Sequence, residues 1–130
     1  MLAFCHMCWA ELHSTPTICT NCGARVDIYS REYERKLISV IARSDAEKRA
    51  QICWVLGRRA KRGAIPALMQ LLHDPDMFVR TAAIRALGQI GDDSAVAAIE
   101  SAVSDSRPAV REIARKALTV LGAHPSGESR

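Results

Sequence analysis

Aromatic side chains are scarce in this chain, with only two each of Phe, Trp and Tyr among 130 residues. With 48% apolar residues and 5% aromatic ones, a core must be built from Ala, Leu, Ile and Val, a palette that favours closely packed helices. No apolar run approaches the roughly 20 residues that span a bilayer. The start, Met1-Leu2-Ala3-Phe4-Cys5, lacks the basic opening and long apolar stretch of a secretory signal. A cytoplasmic, reducing setting is therefore expected. Also missing, beyond residue 30, are a Ser-His-Asp pattern, a phosphate-cradling Gly-rich loop and a Cys-His pair, so catalysis has little to stand on.

What is present begins at the N-terminus. Cys5/Cys8 and Cys19/Cys22 form two Cys-x-x-Cys pairs with ten residues between them. Each pair presents two thiolates from one tight turn, and two facing turns make a tetrahedral four-sulfur cage suited to zinc. A redox Cys-x-x-Cys would sit near a βαβ pattern, which is absent. A catalytic zinc would keep an open position, so His6 and His13 read as surface side chains beside a closed, structural site. About 30 residues cannot bury a core of their own, so this head is expected to fold around one structural zinc ion. The fifth cysteine, Cys53, reads as a small buried hydrophobe.

Charge is unevenly placed. The net +4 divides into −1 for residues 1–30, +6 for 31–63 and −1 for 64–130. Zinc with four thiolates would add −2 to the head. The run Arg58-Arg59-Ala60-Lys61-Arg62, with Arg31, Arg35, Lys36, Lys48 and Arg49, could form a phosphate-binding patch. A solvated loop, or docking of the acidic head on this basic stretch, would account for it equally.

The sequence repeats with a period of 31. Arg49, Arg80 and Arg111 align, as do Leu37, Leu68 and Ile99, and Leu56, Leu87 and Leu118. Asp74 matches Asp105 and Val79 matches Val110, whereas the first copy carries Arg43 and Lys48 there. Such a period signals stacked supersecondary units. Each reads as two helices, expected at about 32–43 and 46–57, 65–73 and 76–88, and 94–104 and 108–121. Ser44-Asp45-Ala46-Glu47 reads as a capping box, with Ser44 as the cap. Pro75 and Pro108 fall near first helical turns, and Gly57, Gly91 and Gly122 can supply left-handed helix ends. Along the second B helix, Val79, Ala83, Ala86, Leu87 and Ile90 share one face that only neighbouring units can cover.

The stretch Asp74-Pro-Asp-x-x-Val-Arg80-x-x-Ala-x-x-Ala-Leu-Gly88 and its echo Asp105-x-x-x-x-Val-Arg111-x-x-Ala-x-x-Ala-Leu118 resemble short HEAT-like repeats of the phycobilisome-lyase type. The head looks like a zinc ribbon. Cys19-Thr-Asn-Cys22-Gly23 has the glycine that often follows such a knuckle, while Cys5-His-Met-Cys8-Trp9 lacks it and must make its turn differently. The resemblance implies that the recurrent Asp and Arg tie adjacent units together. It also implies that the B helices line a concave, partner-binding side, where Trp54, Arg85 and Lys116 form an equivalent row off the apolar stripe. Cys53, Ile84 and Arg115 run beside that row. Trp and Arg are frequent hot-spot residues. Helical-repeat hydroxylases of the deoxyhypusine type hold iron through His-Glu dipeptides, of which this chain has none, and no pigment site of a lyase can be transferred.

The fold expected is thus an all-α solenoid of three HEAT-like hairpins (about 31–62, 63–93 and 94–122) behind a four-cysteine zinc ribbon at 1–30. A Pro/Gly/Ser-rich tail at 123–130 should be disordered. The function expected is a non-enzymatic adaptor or scaffold that docks a protein partner through Trp54, Arg85, Lys116, Ile84 and Arg115. A nucleic-acid or ribonucleoprotein-binding module using Arg58, Arg59, Lys61 and Arg62 is the alternative, and a lyase- or hydroxylase-related protein the third reading. Three units are near the minimum for a stable stack, and no polar cap follows the last helix. Self-association or burial in a larger assembly is expected on that ground.

Overall fold

The computed structural model describes residues 3–12, 18–28, 30–59 and 62–122. His13, Lys61 and the tail at 123–130 lie outside these residues. The chain divides into two compact units, one up to Arg43 and one from Ser44 onward. Among the described residues no helix is long and apolar enough to cross a membrane.

The first unit holds a small antiparallel hairpin, β1 (Ala3–Phe4) and β2 (Glu11–Leu12), and helix α1 (Arg31–Val40), which ends in a 3-10 turn over Ile41–Arg43. Ser30 starts α1 by accepting a hydrogen bond from the Tyr33 amide at 3.0 Å. Tyr33 and Leu37, one turn apart, are both buried. The Tyr33 hydroxyl donates to the Phe4 carbonyl at 2.7 Å and accepts from the Phe4 amide at 3.3 Å. One phenol thus satisfies a strand edge that has no further strand to pair with among the described residues. The first compact unit therefore includes α1.

The second unit is built from α2 (Ala46–Arg58), α3 (Ile65–Leu71), α4 (Met77–Ile90), α5 (Val96–Ala102) and α6 (Pro108–Val120). The central helix α4 packs against α2, α3 and α6, and α5 packs on α6. Leu56, Leu87 and Leu118, equivalent by the 31-residue period, are all fully buried, as are Leu68 and Ile99 on the shorter helices. The cap of α2 is Asp45, whose side chain accepts from the Lys48 amide at 2.9 Å, one residue beyond the Ser44 expected from a capping box. Asp76 caps α4, so Pro75 precedes that helix, while Pro108 does sit in the first turn of α6. Gly91 and Gly122 take the left-handed conformation expected of them.

Gly57 does something else. It lies inside α2, where an added Cβ would stand 2.6 Å from the Ala86 Cα and 2.8 Å from the Ala86 Cβ on α4. The period explains this, because Gly57 is equivalent to Gly88, not to Gly91. The missing side chain lets two helix backbones touch. Gly57→Ala is therefore expected to destabilise the chain by about 2 kcal/mol from overpacking, outweighing the ~1 kcal/mol that alanine gains in helix propensity. At Gly88 the added Cβ meets only Ala117, its Cβ at 3.4 Å and its Cα at 3.7 Å, which are ordinary contacts. Gly88→Ala should be neutral or stabilise by up to about 1 kcal/mol. Urea unfolding of both variants checks the contrast, and equal effects would contradict the packing.

The recurrent charges tie units together, as the repeat pattern implied. Arg49 grips Asp74 through Nε at 2.8 Å and Nη2 at 3.2 Å, and Arg80 grips Asp105 at 2.9 and 3.2 Å in the same way. Each carboxylate also accepts the amide two residues on, from Asp76 and Arg107, at 2.9 Å. Burial works against the ionised form of Asp105, but the Arg107 amide and the Arg80 guanidinium hold it below its ordinary value. These are partly buried, bidentate pairs, the geometry in which an ion pair counts most.

The last helix carries its own polar face. Arg115 and Thr119 are exposed on α6 at the positions where Cys53 and Ile84, and Gly57 and Gly88, are buried. A further unit stacked in the same way would have to bury Arg115 and make room for Thr119. At these two positions α6 is thus more polar than α2 and α4.

Candidate metal centre and docking groove

Two knuckles with matching hydrogen bonds carry the thiols. The Cys5 amide donates to the Ala10 carbonyl at 2.9 Å and the Trp9 amide to the Cys5 carbonyl at 2.9 Å. The Cys19 amide donates likewise to Ala24 at 2.8 Å, and the Gly23 amide to Cys19 at 2.9 Å. The equivalence extends to backbone sign. Gly23 has φ 75°, and Trp9, in the same place, has φ 66°. The first knuckle therefore makes the same turn as the second, not a different one. A tryptophan in left-handed conformation costs about 1–2 kcal/mol. Its ring compensates by stacking on Phe4, with centroids 5.6 Å apart and planes 7° from parallel.

These turns bring four Sγ atoms within 4.8 Å of one another. Cys5 and Cys22 approach to 3.7 Å, as do Cys8 and Cys19. A tetrahedron with metal–sulfur bonds of about 2.3 Å has edges of ~3.8 Å, so the cage fits a tetrahedral thiolate metal. The separation is far too long for a disulfide. Cys5 and Cys19 are buried, Cys8 is half-buried and Cys22 is exposed. Thiolates at this spacing repel one another. The Asn21 side chain and the Ala10 amide draw Cys8 down to about 6. The Ala24 amide also favours the Cys22 thiolate, but burial and the neighbouring cysteines outweigh it and push Cys22 up to about 12. A dication would remove that conflict. His6 is not a free surface side chain. It is half-buried, edge-on to Tyr33 at 6.4 Å, and its Nδ1 is buried with no partner among the described residues.

The second candidate site lies on the B helices α2, α4 and α6. Three large apolar side chains stand exposed there, Trp54 at 40%, Phe78 at 69% and Val120 at 75%. Trp54 and Phe78 line a pocket of about 460 Å³ with Ala50 and Gln51. Phe78 also borders a second depression of about 380 Å³, with Met77, Arg85 and Ile113. Arg85, Ile113 and Lys116 continue into a third of about 300 Å³, walled by Gly88, Ala117 and Val120. The row Trp54, Arg85, Lys116 is thus exposed as expected. Its neighbour Ile84 is not, because it is fully buried one turn before Gly88, and Arg115 lies on the outward side of α6. Cys53 is also fully buried, and burial pushes its thiol up to about 12. Phe78 joins this row although no expectation from the sequence included it. Its signal was its place in the period, over Glu47 and Ala109 on the same helix face.

The basic run is largely engaged. The Arg58 guanidinium lies over the Trp54 ring, 5.3 Å from its centroid, and Arg62 Nη1 is 3.7 Å from Asp92 Oδ2. Arg59 is half-buried. Elsewhere Lys48 pairs with Asp45 at 3.8 Å and Lys36 with Glu32 at 3.3 Å, while Arg49 is held by Asp74.

Helical pairs repeating every 31 residues, tied by Arg–Asp forks, define a helical-repeat protein. Residues 34–119 match the family of HEAT repeats, and the chain belongs to it. It is also similar to deoxyhypusine hydroxylase-B of Oryza sativa subsp. japonica, 30% identical over 95 residues. That stretch covers 72% of this chain and 32% of the hydroxylase, so the chain spans about a third of its relative's length.

Proposed function

We propose that this HEAT-repeat chain is a non-enzymatic docking module that binds a protein partner on the B-helix face, with a structural zinc in its four-cysteine head. One observation carries the docking reading. Three of the five large apolar side chains exposed among the described residues, Trp54, Phe78 and Val120, lie on this one face. Zinc is the metal proposed because four thiolates in a closed tetrahedron suit it and leave no open position for catalysis. Such ligation also suits a reducing compartment.

The likeness to deoxyhypusine hydroxylase-B supports hydroxylase chemistry less well. It covers about a third of that protein, and this chain has no His-Glu dipeptide. The phycobilisome-lyase resemblance concerns repeat type and brings no pigment-binding residues. A nucleic-acid role would rest on Arg58, Arg59, Lys61 and Arg62. Arg58 and Arg62 already have partners within the chain, and aromatics for base stacking are few.

Affinity capture from nuclease-treated lysate tests the choice. The wild-type chain is expected to retain a protein partner that the double variant Trp54→Ser/Phe78→Ser binds at least about tenfold more weakly. Replacing Arg58, Arg59, Lys61 and Arg62 by Gln should weaken partner binding by no more than about fivefold, all of it from the cation lost over the Trp54 ring. Loss of the complex on nuclease treatment would favour the nucleic-acid reading. So would a salt slope that flattens by up to about four phosphate contacts in the four-Gln variant.

A further inference from the structure

We infer that the groove between α4 and α6 receives an amphipathic segment of the partner protein carrying one carboxylate, seated on Arg85, between two bulky apolar anchors. This rests on the docking reading and specifies its ligand. Arg85 is exposed, and no hydrogen bond or ion pair reaches it among the described residues. Its neighbours on the face are engaged. Arg58 covers Trp54, Lys116 pairs with Glu112 at 3.4 Å, and Thr81 donates to the Phe78 carbonyl at 2.9 Å. Arg85 alone borders both depressions as an unmatched cation, with Phe78, Met77 and Ile113 to one side and Val120, Gly88 and Ala117 to the other.

An apolar trough with a guanidinium at its middle selects its guest. The guest must present apolar groups at both ends and an anionic acceptor between them, because a guest that covers the exposed Arg85 strips its water, and the guanidinium then needs a partner. The groove-lining residues 77–89 of α4 span ~18 Å at the helical rise, about three turns of a guest helix. An apolar–acidic–apolar stripe over two to three turns therefore fits, the helix-in-groove mode of recognition. A polyanion fits poorly. Glu112 stands on the groove beside Lys116, and Glu47 and Asp76 line the adjoining Trp54 pocket. These carboxylates would repel a continuous run of phosphates but leave room for a single carboxylate at Arg85.

The test pans a phage-displayed library of random 15-residue peptides on the full chain with its metal bound. Selected peptides should be enriched in a single Asp or Glu flanked by bulky apolar residues. Arg85→Gln should weaken them about tenfold or more. Changing the peptide's acid to its amide should weaken binding to the wild-type chain by a similar factor, yet hardly alter binding to the Arg85→Gln chain. That coupling identifies the carboxylate–Arg85 pair. Peptides lost on Phe78→Ser but showing no acid preference or coupling would overturn this inference and leave the docking reading standing. Peptides indifferent to both Phe78→Ser and Arg85→Gln, or no selected peptides, would overturn both. So would binding of a 20-nucleotide single strand, abolished by Arg85→Gln, in the absence of any peptide ligand.

Discussion

Leu87→Asp is expected to unfold the stack of α2 to α6. Leu87 is fully buried on α4, the helix that touches α2, α3 and α6. Truncating such a leucine costs about 2–5 kcal/mol from lost burial and the cavity left behind. A carboxylate in its place adds the penalty of a buried group with no partner, several kcal/mol more. A domain of this size holds only about 5–10 kcal/mol in total. The far-ultraviolet circular dichroism signal of helix should therefore fall by more than half at 25 °C. Leu87→Ala, measured alongside, should stay folded but melt early. A Leu87→Asp chain with native helix content and cooperative melting would refute the placement of α4 at the centre.

Much of this architecture was legible because it is written in periods. The 31-residue echo located Leu56, Leu87 and Leu118, and all three are fully buried. The likeness to HEAT-like repeats foretold the two ties, and the Asp–Arg echo showed which residues make them. What the period did not carry was misread. Gly57 looked like a helix end because glycine is ambiguous in sequence, serving either a left-handed turn or a close approach. Trp9 hid its left-handed turn because nothing in a sequence reports that stacking on Phe4 offsets backbone strain. Ile84 was placed beside Arg85 on the docking face, yet one step around a helix is about 100°, enough to move a side chain from the surface to the interface. The four thiols were the reverse case. Their spacing alone was sufficient, because Cys-x-x-Cys knuckles fix their own geometry locally.

Removing the metal should have the second large effect, and a different one. Metal analysis is expected to find one zinc per chain, with X-ray absorption showing sulfur neighbours at about 2.3 Å. The unit that holds the cysteines buries few large side chains, among them Phe4, Leu12, Val26, Ile28, Tyr33 and Leu37. That core is too small to hold a chain of this length by itself. Binding of a structural zinc contributes on the order of 10–16 kcal/mol in small zinc modules, so here it would decide between folded and unfolded. Cys19→Ser, or a strong chelator, should abolish metal binding and the near-ultraviolet signal of Trp9 and Tyr33. Most of the helix signal should survive, because five of the six α-helices among the described residues lie in the other unit, with its own core. The thiols must shed protons to bind, so acid should release the metal as well. Leu87→Asp then gives the converse pattern, with helix lost and metal retained. Substoichiometric metal together with a Cys5–Cys22 or Cys8–Cys19 disulfide in protein kept under reducing conditions would overturn the metal centre. Collapse of both signals in both variants would show that the two units fold as one.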